Sequence, residues 1–370
     1  MSNTITKITT MEAVCIIIAC TVNKLILNLP EYFLLSCGSS CLINILILSL
    51  IAIFFSCLLA KLFKNFSNSD IVDISEFLGG RTLKIIVSVM IIFYLASFAS
   101  LIIRDFSEMI HNIYYYETNV IYLLIFFIIT TCVSNLLGEK AIFKSNVFIV
   151  LLMIGSLIIT FTSAFPNIVW QRIFPILGYG AFETFIGGLS NIFAFNSLTF
   201  LYFIMPVLAE KKNFKTVAII SSVIISILLF LSVACLLFSL SFSTSIKDIS
   251  CIYTVITNND FGTFIQHPES LFIFVCIIAN MTFLNLVVLF ITRFSQKLTK
   301  IKNAKLLIIV ICILLFGISM IPQNMLQARR LEEYLYKFVS IPLMLIIFPI
   351  ILILANIKFK RSHLPDKKED

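Results

Sequence analysis

Residues 219–240 read IISSVIISILLFLSVACLLFSL, without one charged side chain. A helix needs about 20 predominantly apolar residues to cross the hydrocarbon core of a bilayer. The run is continuous rather than alternating, so it predicts a spanning helix and not a barrel strand. Outward from it, nine more segments qualify, some across a polar interruption. The ten are 11–30, 36–60, 84–110, 119–137, 146–165, 182–208, 215–242, 270–294, 304–321 and 333–357. Composition agrees: of 370 residues 60% are apolar and 12% charged, where a soluble domain runs nearer half and a quarter. A water-soluble globule could not hide that much apolar surface. The reading is an all-α polytopic membrane protein with about ten transmembrane helices.

The net charge of +8 takes its meaning from where it falls. With the N-terminus cytoplasmic, ten spans return the C-terminus to the same side. The cytoplasmic segments then hold 20 of the 27 basic residues, and the outer loops hold Arg172, Lys247, Arg329 and Arg330. This bias predicts both termini inside by the positive-inside rule. The charge is topological, and a nucleic-acid footprint is excluded. Lys24, Arg104 and Lys337 remain inside or at the edge of spans.

Outside the spans there is no room for a soluble catalytic domain. Ile17-Ile18-Ala19-Cys20 has the outline of a lipoprotein cleavage box, but the apolar pattern runs on to Leu29, so span 1 is read as intact. Segment 61–83 is amphipathic around Asp70, Asp73 and Glu76 and predicts a short interfacial helix before Gly79-Gly80. Outer loop 243–269 is rich in Ser, Thr and Asn, and tail 358–370 is charged and reads as disordered. The ten cysteines, nearly all in apolar runs and with no CxxC, read as small apolar side chains.

In so apolar a chain the informative residues are the polar ones at bilayer depth, where a charge costs roughly 2.5–3.5 kcal/mol on insertion scales. Span 1 carries Thr21-Val22-Asn23-Lys24 before Pro30. One reading opens the helix there onto a binding cavity; the other lets Lys24 snorkel to the outer interface. Span 6 carries Gly187-Gly188, Asn191, Phe193-Ala194-Phe195-Asn196-Ser197 and Pro206. It reads as a helix broken near Asn196, or as a continuous one with glycines for close packing. In span 3, Tyr94 and Ser97 are cavity candidates, while Arg104 and Glu108 read as a structural pair at i,i+4. Asn280 in span 8 is a weaker candidate, better suited to bonding another helix. No P-loop, GxSxG, HExxH or buried carboxylate pair is present, so an enzyme is not expected, nor a metal or other cofactor.

Taken in order, these features resemble the endospore germination permeases, the B subunits of nutrient germinant receptors, within the amino acid–polyamine–organocation superfamily. The resemblance rests on Arg172-Ile173-Phe174-Pro175-Ile176-Leu177-Gly178-Tyr179-Gly180, then Gly187-Gly188, Phe193 to Ser197 and Met205-Pro206. It also rests on Glu76-Phe77-Leu78-Gly79, on Arg104, Phe106 and Glu108, and on His267-Pro268-Glu269. Two departures stand out. Relatives commonly have glycines where this chain has Asn23 and Lys24, and a glycine where it has Asn196 or Ser197. A cavity-facing lysine would alter ligand charge preference or stand in for a coupling cation.

The resemblance implies a LeuT-like inverted repeat (5+5) with helices 1 and 6 interrupted, in one transmembrane domain 1–357 with halves 1–165 and 166–357. It implies nutrient sensing in the spore inner membrane, with a small solute, an amino acid by expectation, at the midplane. It also implies an A-type membrane subunit and a C-type lipoprotein as partners. The ligand-binding candidates are Thr21, Asn23, Lys24, Tyr94, Ser97, Phe193, Ala194, Phe195, Asn196, Ser197 and Asn280. Arg104, Glu108, Gly187, Gly188 and Pro206 are structural or gating candidates. The alternative is a proton-coupled amino acid transporter of the same fold.

Overall fold

The computed structural model describes residues 6–165, 168–239, 251–257, 268–299, 301 and 303–362. Lys247, His267 and most of loop 243–269 lie outside the described residues, as does 363–370 of the charged tail. The described chain is almost wholly helical. Seven helices are long and apolar enough to cross a membrane, and Val120–Leu136 and Ala304–Ser319 are shorter apolar ones. With Thr10–Leu27 as the first half of span 1, these account for ten spans.

Span 1 is Thr10–Leu27 continued by Leu29–Cys37, and span 2 is Cys41–Leu62. Spans 3, 4 and 5 are Ile71–Ile113, Val120–Leu136 and Glu139–Ala164. Span 6 runs over Ala181–Ile204, span 7 over Phe214–Ser239 and span 8 over Pro268–Thr299. Span 9 is Ala304–Ser319, and span 10 extends over Met325–Arg361. Large apolar side chains on the outside, such as Leu50, Phe54, Phe148, Ile313 and Phe338, are exposed. Serines, threonines and asparagines turn inward; Ser56 and Ser222, for example, bond at 2.6 Å between spans 2 and 7. An apolar exterior around a more polar interior is the pattern of a chain dissolved in lipid. Six cysteines, among them Cys15, Cys37 and Cys276, are buried and unbridged inside it.

The amphipathic segment before span 3 forms a helix from Ile71, capped by Asp70, whose carboxylate accepts from the amides of Val72 and Asp73. Lys297 at the end of span 8 pairs with Asp70 and Asp73. The chain then turns at Gly79-Gly80 into the membrane-crossing part of span 3. Gly80 has φ +69°, a conformation that suits a residue without Cβ. The kink frees the carbonyls of Phe77 and Leu78, and Lys358 of span 10 donates to both, at 2.7 and 3.1 Å.

Among the described residues, three further spans depart from regular α-geometry. Span 1 is interrupted at Asn28 (φ −142°, ψ −2°), four residues beyond Lys24, and Thr21 to Lys24 are helical. Pro30 explains the position: it has no N–H to give the preceding turn. Span 6 does not part at Asn196; Gly187–Phe200 winds as a 3-10 helix, far longer than the usual three or four residues. Span 10 begins at Met325 rather than 333, so Arg329 and Arg330 are helical and not in a loop. It then widens into π-turns at Tyr336–Ser340 and Leu343–Ile347, on either side of Pro342.

Candidate functional site

The irregular stretches of spans 1, 6 and 10 meet span 3 in the middle of the bundle. Lys24, one turn before the Asn28 break, is buried. Its ammonium lies 4.1 Å from the ring centre of Phe98 and 3.9 Å from that of Tyr336, and no hydrogen-bond acceptor reaches it. Two aromatic faces offer a cation partial compensation for lost water. The rings form a stack: Phe193 lies parallel to Tyr336 at 4.7 Å, Tyr94 parallel to Phe98 at 5.8 Å, and Tyr32 edge-on to Phe193 at 5.6 Å. Tyr336 donates its hydroxyl to Glu332 at 2.6 Å, and that carboxylate is 2% exposed.

A second polar group sits one layer away on span 6. Asn196 donates to the Tyr94 hydroxyl and accepts from Ser340 of span 10. Thr199 donates to the same carbonyl oxygen at 3.2 Å. Ser197 bonds Thr21 of span 1 at 2.5 Å. Asn196 and Ser197 therefore join spans 1, 3, 6 and 10 at one depth. Such interhelical bonds replace water that the bilayer core lacks.

The sequence candidates divide into groups. Thr21, Lys24, Tyr94, Phe193, Asn196 and Ser197 come together. Ser97, Ala194 and Phe195 are buried close by without a polar contact to that group. Asn23 is buried with both side-chain polar atoms unpartnered. Asn280 donates to Cys276 of its own helix at 3.1 Å, and its oxygen has no partner. Gly188 serves close packing, since a Cβ there would stand 2.2 Å from Asn44 Nδ2 of span 2, whereas a Cβ at Gly187 would meet only the Glu183 carboxylate of its own span. Asn191 bonds Ser36 at 2.7 Å and Asn44 at 3.2 Å, holding span 6 against spans 1 and 2.

Both ends of the site are tied. At one end Arg329 of span 10 bonds Asp105 of span 3 at 3.0 Å and approaches Glu31 of span 1 at 3.8 Å. Beside it Arg104 pairs with Glu108 at 2.6 Å and reaches the carbonyl of Gln323 at 3.2 Å. At the other end Ile8 and the segment after span 6 form one isolated parallel β-bridge: Ile8 donates to Val207, and Ala209 to Ile8, each at 2.9 Å. Lys7 donates to the carbonyl of Pro206 at 3.0 Å.

Sequence reasoning missed Phe98, Asp105, Arg329, Glu332, Tyr336 and Ser340. It expected no buried carboxylate pair, yet Asp105 and Glu332 are both buried. The stretch Arg329-Arg330-Leu331-Glu332-Glu333 is too charged for a hydropathy window, so it reads as loop. An amphipathic helical period from Met325 was the available signal.

The spore germination protein family model matches residues 7–328. No curated protein sequence matches the chain. Among solved structures, a Na+-coupled sialic acid symporter in a substrate-bound, outward-open state superposes with a TM-score of 0.68. The match covers 94% of this chain and 78% of the symporter at 13% identity, a likeness of fold alone. Helices 1 and 6 are both among the irregular ones, in keeping with a LeuT-like fold. Family and fold are of the permease and transporter type. With a family model spanning most of its length, the chain belongs to the spore germination proteins.

Proposed function

We propose that the protein is the nutrient-sensing membrane subunit of a spore germination receptor, binding an amino acid at the midplane between spans 1 and 6. The observation that carries this reading is Lys24. It is a buried ammonium without a hydrogen-bond acceptor, held by rings from spans 3 and 10 beside the Thr21–Ser197 and Asn196 contacts. A fixed charge at that depth is a functional feature by default. In this reading the halves 1–165 and 166–357 form the two repeats of one domain, and both termini face the cytoplasm of the spore inner membrane. An A-type membrane subunit and a C-type lipoprotein complete the receptor and carry the signal onward.

Binding signals only if it favours one conformation over another. The test is ligand response in spores carrying Asn196→Leu or Lys24→Met, with membrane levels of the protein measured in parallel. Loss or altered ligand preference at normal levels is the expected result; unchanged response in both variants sinks the assignment. A second reading of the same fold is proton-coupled amino acid transport; the solved structure of like fold is a transporter, though a Na+-coupled one for sialic acid. Uptake by the protein alone in proteoliposomes, accelerated by a proton gradient, would select it. A response that needs the partner subunits selects the receptor.

A further inference from the structure

The aromatic box in the middle of the bundle is the kind of site that takes an ammonium group, but the chain fills it with its own. Lys24 lies on the face of Tyr336, and Glu332 lies at the hydroxyl of the same ring. One buried cation and one buried anion thus flank a single tyrosine without pairing: the ammonium has no acceptor, and Glu332 has no ion pair among the described residues. Two opposite charges left separate in an apolar interior are costly unless something bridges them. Backbone groups of span 6 are poorly placed to take ligand charges, because Gly187–Phe200 is wound continuously. We propose that Lys24 and Glu332 are the ligand's two anchors: Lys24 Nζ donates to its carboxylate, and Glu332 accepts from its ammonium.

The upper bound on their separation admits an amino acid. The ring centre is 3.9 Å from Lys24 Nζ, the tyrosine hydroxyl is 2.6 Å from Glu332 Oε1, and ~2.8 Å separates ring centre from phenol oxygen, so the two charges stand at most about 9 Å apart. An amino acid hydrogen-bonded at both ends spans roughly 6–9 Å between its partner atoms. A ligand's own ammonium is excluded from the box by Lys24 and directed to Glu332. A carboxylate without an amine satisfies Lys24 alone, and an amine without a carboxylate satisfies Glu332 alone. This assignment rests on the amino-acid reading of the site and names the side chains that select it.

The test uses the purified full chain in nanodiscs and follows thermal unfolding with each of the twenty common L-amino acids. The amino acid giving the largest upward shift is then compared with its deaminated acid and its decarboxylated amine. The expected result is a shift for the zwitterion and none for either fragment at equal concentration. Lys24→Met and Glu332→Gln should each weaken Kd about 10-fold or more, as expected for loss of a charge-assisted hydrogen bond. Because a single variant leaves one charge stranded, Lys24→Met/Glu332→Gln is made as well; it should fold and remain unresponsive. Undiminished shifts in all three variants, or a deaminated acid that binds as tightly as the amino acid, overturn the anchors while still showing that the protein binds an amino acid. No shift with any amino acid in the unaltered protein overturns both.

Discussion

Arg329→Gln tests the tie across one end of the site. Arg329 bonds Asp105 of span 3 and also approaches Glu31 of span 1. Asp105 is 1% exposed, and its second oxygen already lacks a partner. Removing one member of a buried pair costs about 3–5 kcal/mol, because the other charge is stranded. The Arg329 side chain keeps 18% of its exposure, and the Glu31 contact is long at 3.8 Å. The lower end, about 3 kcal/mol, is therefore expected. In Arg329→Gln/Asp105→Asn the buried Asp105 charge is gone, and a neutral hydrogen bond worth about 1 kcal/mol can form in its place. The double variant should thus recover about 2 kcal/mol relative to additivity. Reversible unfolding in mixed micelles, followed by circular dichroism on all four proteins of the cycle, measures this. A single-variant loss below about 1 kcal/mol, or effects additive within about 0.5 kcal/mol, refutes the claim that Arg329 neutralises a buried Asp105.

Three further outcomes follow from other contacts. Gly178→Ala should destabilise by roughly 1–3 kcal/mol in the same unfolding assay: the glycine has φ +52°, and its Cβ would stand 2.0 Å from the carbonyl oxygen of Cys37. Asn196→Leu removes its bonds to Tyr94 and Ser340, which keep only their long contact with each other at 3.5 Å, and should cost about 2–3 kcal/mol; full stability in this variant would show that Asn196 does not join the spans. Lys297→Met leaves Asp70 buried beside Asp73, so loss of about 2–3 kcal/mol is expected. Adding Asp70→Asn should restore most of it, and no restoration would contradict the pairing.

The spans were legible because bilayer helices are written in long apolar runs, and 219–240 is one of them. The irregular geometry was only partly legible. Pro30 predicts an interruption near where Asn28 breaks span 1, but Asn23-Lys24 draws the eye one turn too early. In span 6 the glycines and Asn196 signal something other than a plain helix. Whether that becomes a gap or a 3-10 stretch depends on tertiary bonds: Tyr94 and Ser340 hold Asn196 inside the winding. For Lys24 the sequence allows both cavity and interface, and the rings of Phe98 and Tyr336 bury it. The other half of the site, on span 10, is hidden by its own charges. Glu332 enters the membrane interior on an amphipathic turn whose opposite face carries Glu333 and Lys337, paired at 2.6 Å and exposed.

The two tied ends constrain how any ligand acts. A ligand reaching Lys24 past Glu31 must separate Arg329 from a buried carboxylate. Opening at that end therefore carries a cost of order the stranded charge, about 3 kcal/mol. A zwitterion held by Lys24 and Glu332 adds charge-assisted bonds of about 1.5–3 kcal/mol each, so its binding energy is of the same size as the opening cost. Binding and the state of the Arg329 tie are then coupled, since Glu332 and Arg329 are one turn apart on the same helix of span 10. The opposite end is closed by backbone bonds of Ile8 and by Lys7. A receptor needs only the first of these closures to respond to the ligand, whereas a transporter must release both in alternation. Whether the Ile8 pairing opens during ligand response is therefore the structural difference between the two readings of this one fold.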